Sequence, residues 1–151
     1  IERMAHDLKS MAWNMEAMEV HQLGVRTMAA ARGNDPLALD FAQSLADAKT
    51  GGQGAVVLFA SGSHCDDPAC ASTLAQLKRA QATVGSKAVF IHVETRDRDD
   101  PTQPSAAAKA WGLVGEPWTF VISPRGFVGA RVQGEFSATE MQLLLDKVLE
   151  P

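Results

Sequence analysis

No stretch of this sequence approaches the ~20 consecutive apolar residues that a membrane-spanning helix needs, so no membrane span is expected in it. Positive charge is not in excess either. Fourteen Lys and Arg against 18 Asp and Glu leave a net charge of -4, which excludes strong electrostatic binding of nucleic acid. Glycine and proline, at 12 and 7 of 151 residues, are too few for collagen or a low-complexity chain, and two cysteines are too few for a disulfide-packed miniprotein. There is no phosphate-binding glycine loop, no paired metal-ligand motif and no nucleophilic-serine signature, and no cofactor is expected. What remains is a chain 46% hydrophobic and 151 residues long, enough for one domain with a sizeable core. It begins with Ile rather than Met, which reads as a processed or trimmed piece with room for an anchor or signal ahead of residue 1.

The first 31 residues contain no Pro and one Gly, and Met4, Leu8, Met11, Met15 and Met18 recur at steps of four and three. That spacing predicts a helix with all five on one stripe. Arg32-Gly33-Asn34 breaks the pattern, and Asp35 with Pro36 reads as the N-cap and first position of a second helix. Leu37, Phe41, Leu45 and Ala48 form its apolar face. The glycines of Thr50-Gly51-Gly52-Gln53-Gly54 end it, and they divide the chain into a helical extension, 1–53, and a second domain, 54–151.

Beyond that boundary the pattern changes. Ala55–Ala60 is a continuous apolar run, as a buried central strand requires. A cysteine loop follows, then a helix over Pro68–Thr83 with Leu74, Leu77 and Ala80 inward. Ala88–Glu94 reads as a second buried strand, parallel to the first, since the crossover between them is long enough. A polar loop and a short helix around Ser105–Trp111 come next. Trp118–Ser123 and Phe127–Gln133 form a hairpin through Pro124-Arg125-Gly126. Ser137 and Glu140 make a capping box for a last helix, with Met141, Leu144, Leu145 and Val148 inward. The order is β-α-β-α-β-β-α, an α/β mixed sheet.

The two cysteines, Cys65 and Cys70, lie five apart between the first strand and its helix. So short a spacing allows a local disulfide or a two-ligand metal clip. A helix N-terminus favours a thiolate. Cys65, just ahead of the helix, is therefore the expected attacking thiol, and Cys70, about a turn into it, the resolving one. His64, if protonated, would lower the Cys65 pKa. Asp66 and Asp67 oppose that effect and also suit a helix start. A redox pair and a structural staple both stay open on this evidence. The mixed-sign run Arg96–Asp100 reads as a solvated loop.

Residues 54–149 resemble the thioredoxin-like superfamily, most closely the extracytoplasmic thioredoxin-like proteins of bacteria, in a version with a Cys-x4-Cys pair. Three passages carry the resemblance: VVLFASGSHCDDPAC, VFIHVE, and the stretch from Ala110 to Leu149 that contains GEPWTFVISPRGFVGARVQG. Glu116-Pro117-Trp118 occupies the place of the family's cis-proline, which faces the active disulfide. The sequence departs from the family in having four residues between the cysteines, and His64 where a tryptophan usually stands. The resemblance implies thiol–disulfide exchange through Cys65 and Cys70, with a disulfide-bearing protein as partner and Pro117, Trp118, Glu116 and His64 at the substrate side. Glu116 is placed there as a carboxylate able to transfer protons. It also implies a site outside the cytoplasm, in the cell envelope. The other reading is a thioredoxin-fold accessory subunit without turnover, docked on a larger, membrane-associated assembly through the N-terminal helix.

Some thioredoxin-like proteins bind copper through two cysteines and a histidine, and Cu(I) suits thiolates. Here Cys65 and Cys70 would need His64 or His92. His92 falls inside a strand pattern, where a satisfied core histidine is the ordinary expectation, and no metal is expected. The methionine stripe is spaced for packing, either on the protein's own core or on another chain.

Overall fold

A computed structural model describes residues 36–62 and 65–150, with side chains from Phe41 onward. The expected helix over 1–31, the Asp35 cap and His64 lie outside the described residues. Helix α1 (Pro36–Thr50) leads into strand β1 (Gly54–Phe59). Helix α2 (Ala69–Val84) and a single 3-10 turn connect β1 to β2 (Ala88–Val93), and the short α3 (Ala106–Ala110) precedes the hairpin of β3 (Trp118–Ile122) and β4 (Val128–Gln133). Helix α4 (Ala138–Leu149) closes the chain.

The four strands lie in the order β2-β1-β3-β4. The β1–β2 pair is parallel, with Gly54 opposite Ala88 and Phe59 opposite Val93, while β1–β3 and β3–β4 are antiparallel. The unbroken apolar run of β1 now has its reason. It is flanked by strands on both edges and covered on both faces, and all six of its residues are buried.

Successive side chains of a strand point to opposite faces, so β1 feeds two cores. Ala55, Val57 and Phe59 pack on one side with Phe41, Leu45 and Ala48 of α1, Trp111 and Phe120. Here the Phe59 ring meets Trp111 at 5.0 Å between centroids and Phe41 edge-on at 5.6 Å. Helix α1 thus shares a single core with the sheet. Val56 and Leu58 face the other way, toward Leu77 of α2 and Met141, Leu144, Leu145 and Val148 of α4. Gly54 is needed where β1 passes α4: a Cβ there would lie 2.8 Å from the Ile122 carbonyl and run into Leu149.

The second strand departs from expectation. It was read as buried, but only Ala88 and Val93 are, and His92 is exposed. The cause is position: among the described residues β2 has a neighbour on one edge alone. The hairpin turn and the capping box are as expected. Gly126 takes φ 84° in the turn, the Ser137 hydroxyl accepts from the Glu140 N–H at 3.2 Å, and the Glu140 carboxylate accepts from the Ser137 N–H at 2.7 Å.

Candidate functional site

Strand β1 ends where the cysteine loop begins, and α2 begins where the loop ends. Cys65 and Cys70 are joined in a disulfide, with alpha carbons 6.4 Å apart. The two cysteines differ in burial: Cys70 is buried and Cys65 is half-buried. Cys70 is the second residue of α2, in its first turn rather than a full turn inside the helix. The Asp67 carboxylate accepts from the Ala69 N–H at 2.9 Å, and the Asp67 carbonyl accepts from the Cys70 N–H at 3.0 Å. Asp67 is therefore the helix-start residue that the sequence suggested, satisfying one of the orphan donors of that turn. Its carbonyl also lies 3.4 Å from the Cys65 sulfur, a contact rather than a hydrogen bond, because an oxidised sulfur has no proton to donate.

Across from the loop the chain enters β3 through a cis Glu116–Pro117 bond, in the isomer that the resemblance implied. Pro117 is buried. Trp118 opens β3, half-buried at the edge of the aromatic core, with its indole N–H donating to the Val114 carbonyl at 3.3 Å and the Arg131 guanidinium over its ring at 5.7 Å. A carboxylate oxygen of Glu116 and the two cysteine sulfurs all lie within 4.8 Å of one another.

The surroundings of Glu116 decide what that carboxylate can do. Oε2 accepts from the Ser61 N–H at 2.6 Å and from the Thr95 hydroxyl. Oε1 accepts from the Ser61 hydroxyl at 2.9 Å and pairs with Arg96 Nε at 3.4 Å. A carboxylate offers about four lone-pair sites, and here all of them are taken. Burial of the side chain, 8% exposed, works against the charge. The bonds from Thr95 and Ser61 and the charge of Arg96 outweigh it and hold the Glu116 carboxyl below the usual glutamate range.

Ser61, Thr95 and Arg96 had no signal in the sequence; Arg96 belonged to a run read as solvated loop. They meet because β1 and β2 run parallel. The Ala60 N–H bonds the Val93 carbonyl at 3.1 Å, which continues the register past both strand ends and sets Ser61 beside Thr95. Glu94 ties the cysteine loop to the same place, accepting from the Gly62 N–H at 3.1 Å.

The donor set also bears on metals. The oxygens of Glu116 are already engaged and do not fit as cation ligands. His92 is engaged too: its Nε2 lies 2.8 Å from the Ala60 carbonyl. It is a satisfied strand histidine, on an edge rather than in the core.

No protein-family model and no curated protein match the chain. Solved structures do. One is a thiol:disulfide interchange protein of the thioredoxin family from Chlorobium tepidum TLS, 19% identical, with TM-score 0.55 over 70% of this chain and 84% of that one. Another is dsbF from MTB, in mixed oxidized and reduced forms, 18% identical, with TM-score 0.51 over 64% of this chain and 81% of that one. At such identity the likeness shows the fold, which is thioredoxin-like, with the Cys65–Cys70 pair in place between β1 and α2.

Proposed function

We propose that this chain carries out thiol–disulfide exchange through Cys65 and Cys70. The observation that carries the reading is the disulfide's seat at the N-terminus of α2, with Cys65 half-buried and Cys70 buried. In the reduced protein the Cys65 thiolate attacks one sulfur of a substrate protein's disulfide, and the other sulfur leaves as a thiolate. Cys70 then loses its proton and attacks Cys65. The Cys65–Cys70 bond forms, the mixed disulfide breaks, and the second substrate thiol departs. Two electrons pass from the cysteine pair to the substrate, and two protons complete its thiols. Pro117 and Trp118 are assigned to the substrate face, and a carboxylate oxygen of Glu116 lies within 4.8 Å of both sulfurs. Such a disulfide persists in an oxidising space, so the protein is assigned to the cell envelope, outside the cytoplasm.

The test is disulfide reduction by the two serine variants. Cys65→Ser is expected to abolish activity, and Cys70→Ser to accumulate mixed disulfides with substrate. Full activity in Cys65→Ser would refute the assignment of the nucleophile. The carboxylates beside the sulfurs, Asp66, Asp67 and Glu116, favour one other reading, an accessory subunit in which the bond is a staple. A potential below about −300 mV, read by thiol trapping in redox buffers, would select that reading.

A further inference from the structure

A carboxylate with every lone pair engaged is a poor proton carrier, because taking up a proton costs it a donor. Glu116 is in that position. Both its oxygens are committed to Ser61, Thr95 and Arg96, and the side chain is 8% exposed. It nevertheless lies within 4.8 Å of both sulfurs. We infer that Glu116 acts as a fixed negative charge that opposes thiolate formation by the reduced pair, with Arg96 as the countercharge that limits its strength.

The argument is electrostatic. Reduction adds two electrons to the Cys65–Cys70 bond and, at a pH below the thiol pKa values, two protons. Once a thiol ionises, a second negative charge stands beside Glu116. Two like charges about 5 Å apart in a site partly shielded from water repel strongly enough to raise a thiol pKa. The oxidised pair carries no charge and feels none of this, so the disulfide is favoured over the thiolate. Arg96 pairs with Oε1 at 3.4 Å and cancels part of the field.

Among the described residues, the other charged groups on or bonded to the cysteine loop and the start of α2 are Asp66, Asp67, Glu94, which accepts from the Gly62 N–H, and Glu135, which accepts from the Ser72 hydroxyl. The inference rests on the exchange reading for its biological consequence alone. Its measurement needs no substrate protein, so a failure of exchange and a failure of this inference are separable.

The experiment reads two quantities on the full chain: the thiol ionisation constant of the reduced protein, from thiolate absorbance, and the reduction equilibrium against dithiothreitol at about pH 9. Glu116→Gln is expected to raise the ionisation constant about tenfold, one pKa unit, and to shift the equilibrium toward the dithiol by at least about threefold. Arg96→Gln leaves the carboxylate without its countercharge and is expected to move both quantities the opposite way. Glu116→Asp keeps the charge and returns them toward wild type. Loosening of the loop would move the Glu116→Gln and Arg96→Gln variants in one direction, so opposed shifts support the inference. Shifts of the same sign, or none in either variant, overturn it.

Discussion

Thr95 donates a hydrogen bond from its hydroxyl to Glu116 and is itself buried, at 5% exposure. A hydrogen bond to a charged group is worth about 1.5–3 kcal/mol, and removing its donor leaves a half-buried charge short of a partner. The folded-state pKa of Glu116 is depressed. Its stabilising contribution is therefore present above the ordinary glutamate pKa and is lost as pH falls through the folded value. Thr95→Val is expected to destabilise the oxidised protein by about 1–2 kcal/mol at neutral pH, and by less in acid, where the wild-type carboxyl is itself protonated. Urea unfolding at neutral and acid pH checks this; a difference that stays constant with pH would show that the bond to the charge is not the cause. Glu116 was legible in the sequence only as a carboxylate before a proline. Its three partners were not legible, because Ser61 and Glu116 are 55 positions apart and nothing local to either residue announces the other.

Among the elements, α4 shows the closest agreement between pattern and structure. Its inward residues, its start and its cap all follow from spacings of three and four along one short segment. Ser137→Ala removes the hydroxyl that accepts from the Glu140 N–H and is expected to cost about 1 kcal/mol at neutral pH. The reciprocal bond from the Ser137 N–H holds the Glu140 carboxyl below its ordinary value, so the cap is strongest above the glutamate pKa and weakens as pH falls through the folded one. Thermal melts of the variant at both pH values read the effect, and no loss at neutral pH would show the box to be idle. Strand β2 shows the opposite case. Its composition is that of a buried strand, yet edge or centre is settled by how many partners it has, and that depends on other segments.

At the scale of the whole molecule, both faces of the sheet are already covered. Phe41, Leu45 and Ala48 of α1 with Trp111 close one, and α2 and α4 close the other. The stripe of Met4, Leu8, Met11, Met15 and Met18 lies outside the described residues, and its two readings, packing on the protein's own core and docking on another chain, predict different outcomes on substitution. Replacing Met11 and Met15 with Glu separates them by light scattering and thermal unfolding: loss of assembly with an unchanged melting temperature supports docking. A large fall in the stability of the monomer would instead place the stripe on the protein's own core. The sequence by itself determined the order of elements in residues 54–149, the inward faces of α1 and α4, and the loop that holds the cysteines, because period, caps and turn residues act over a few positions. The tertiary structure alone decided the edge position of β2, the early place of Cys70 in α2, and the ring of Ser61, Thr95 and Arg96 around Glu116. The ring depends on the parallel pairing of β1 with β2, which sets Ser61 beside Thr95, and on the antiparallel pairing of β1 with β3, which brings Glu116 to Ser61; such pairings of distant segments leave no periodic trace in any one of them.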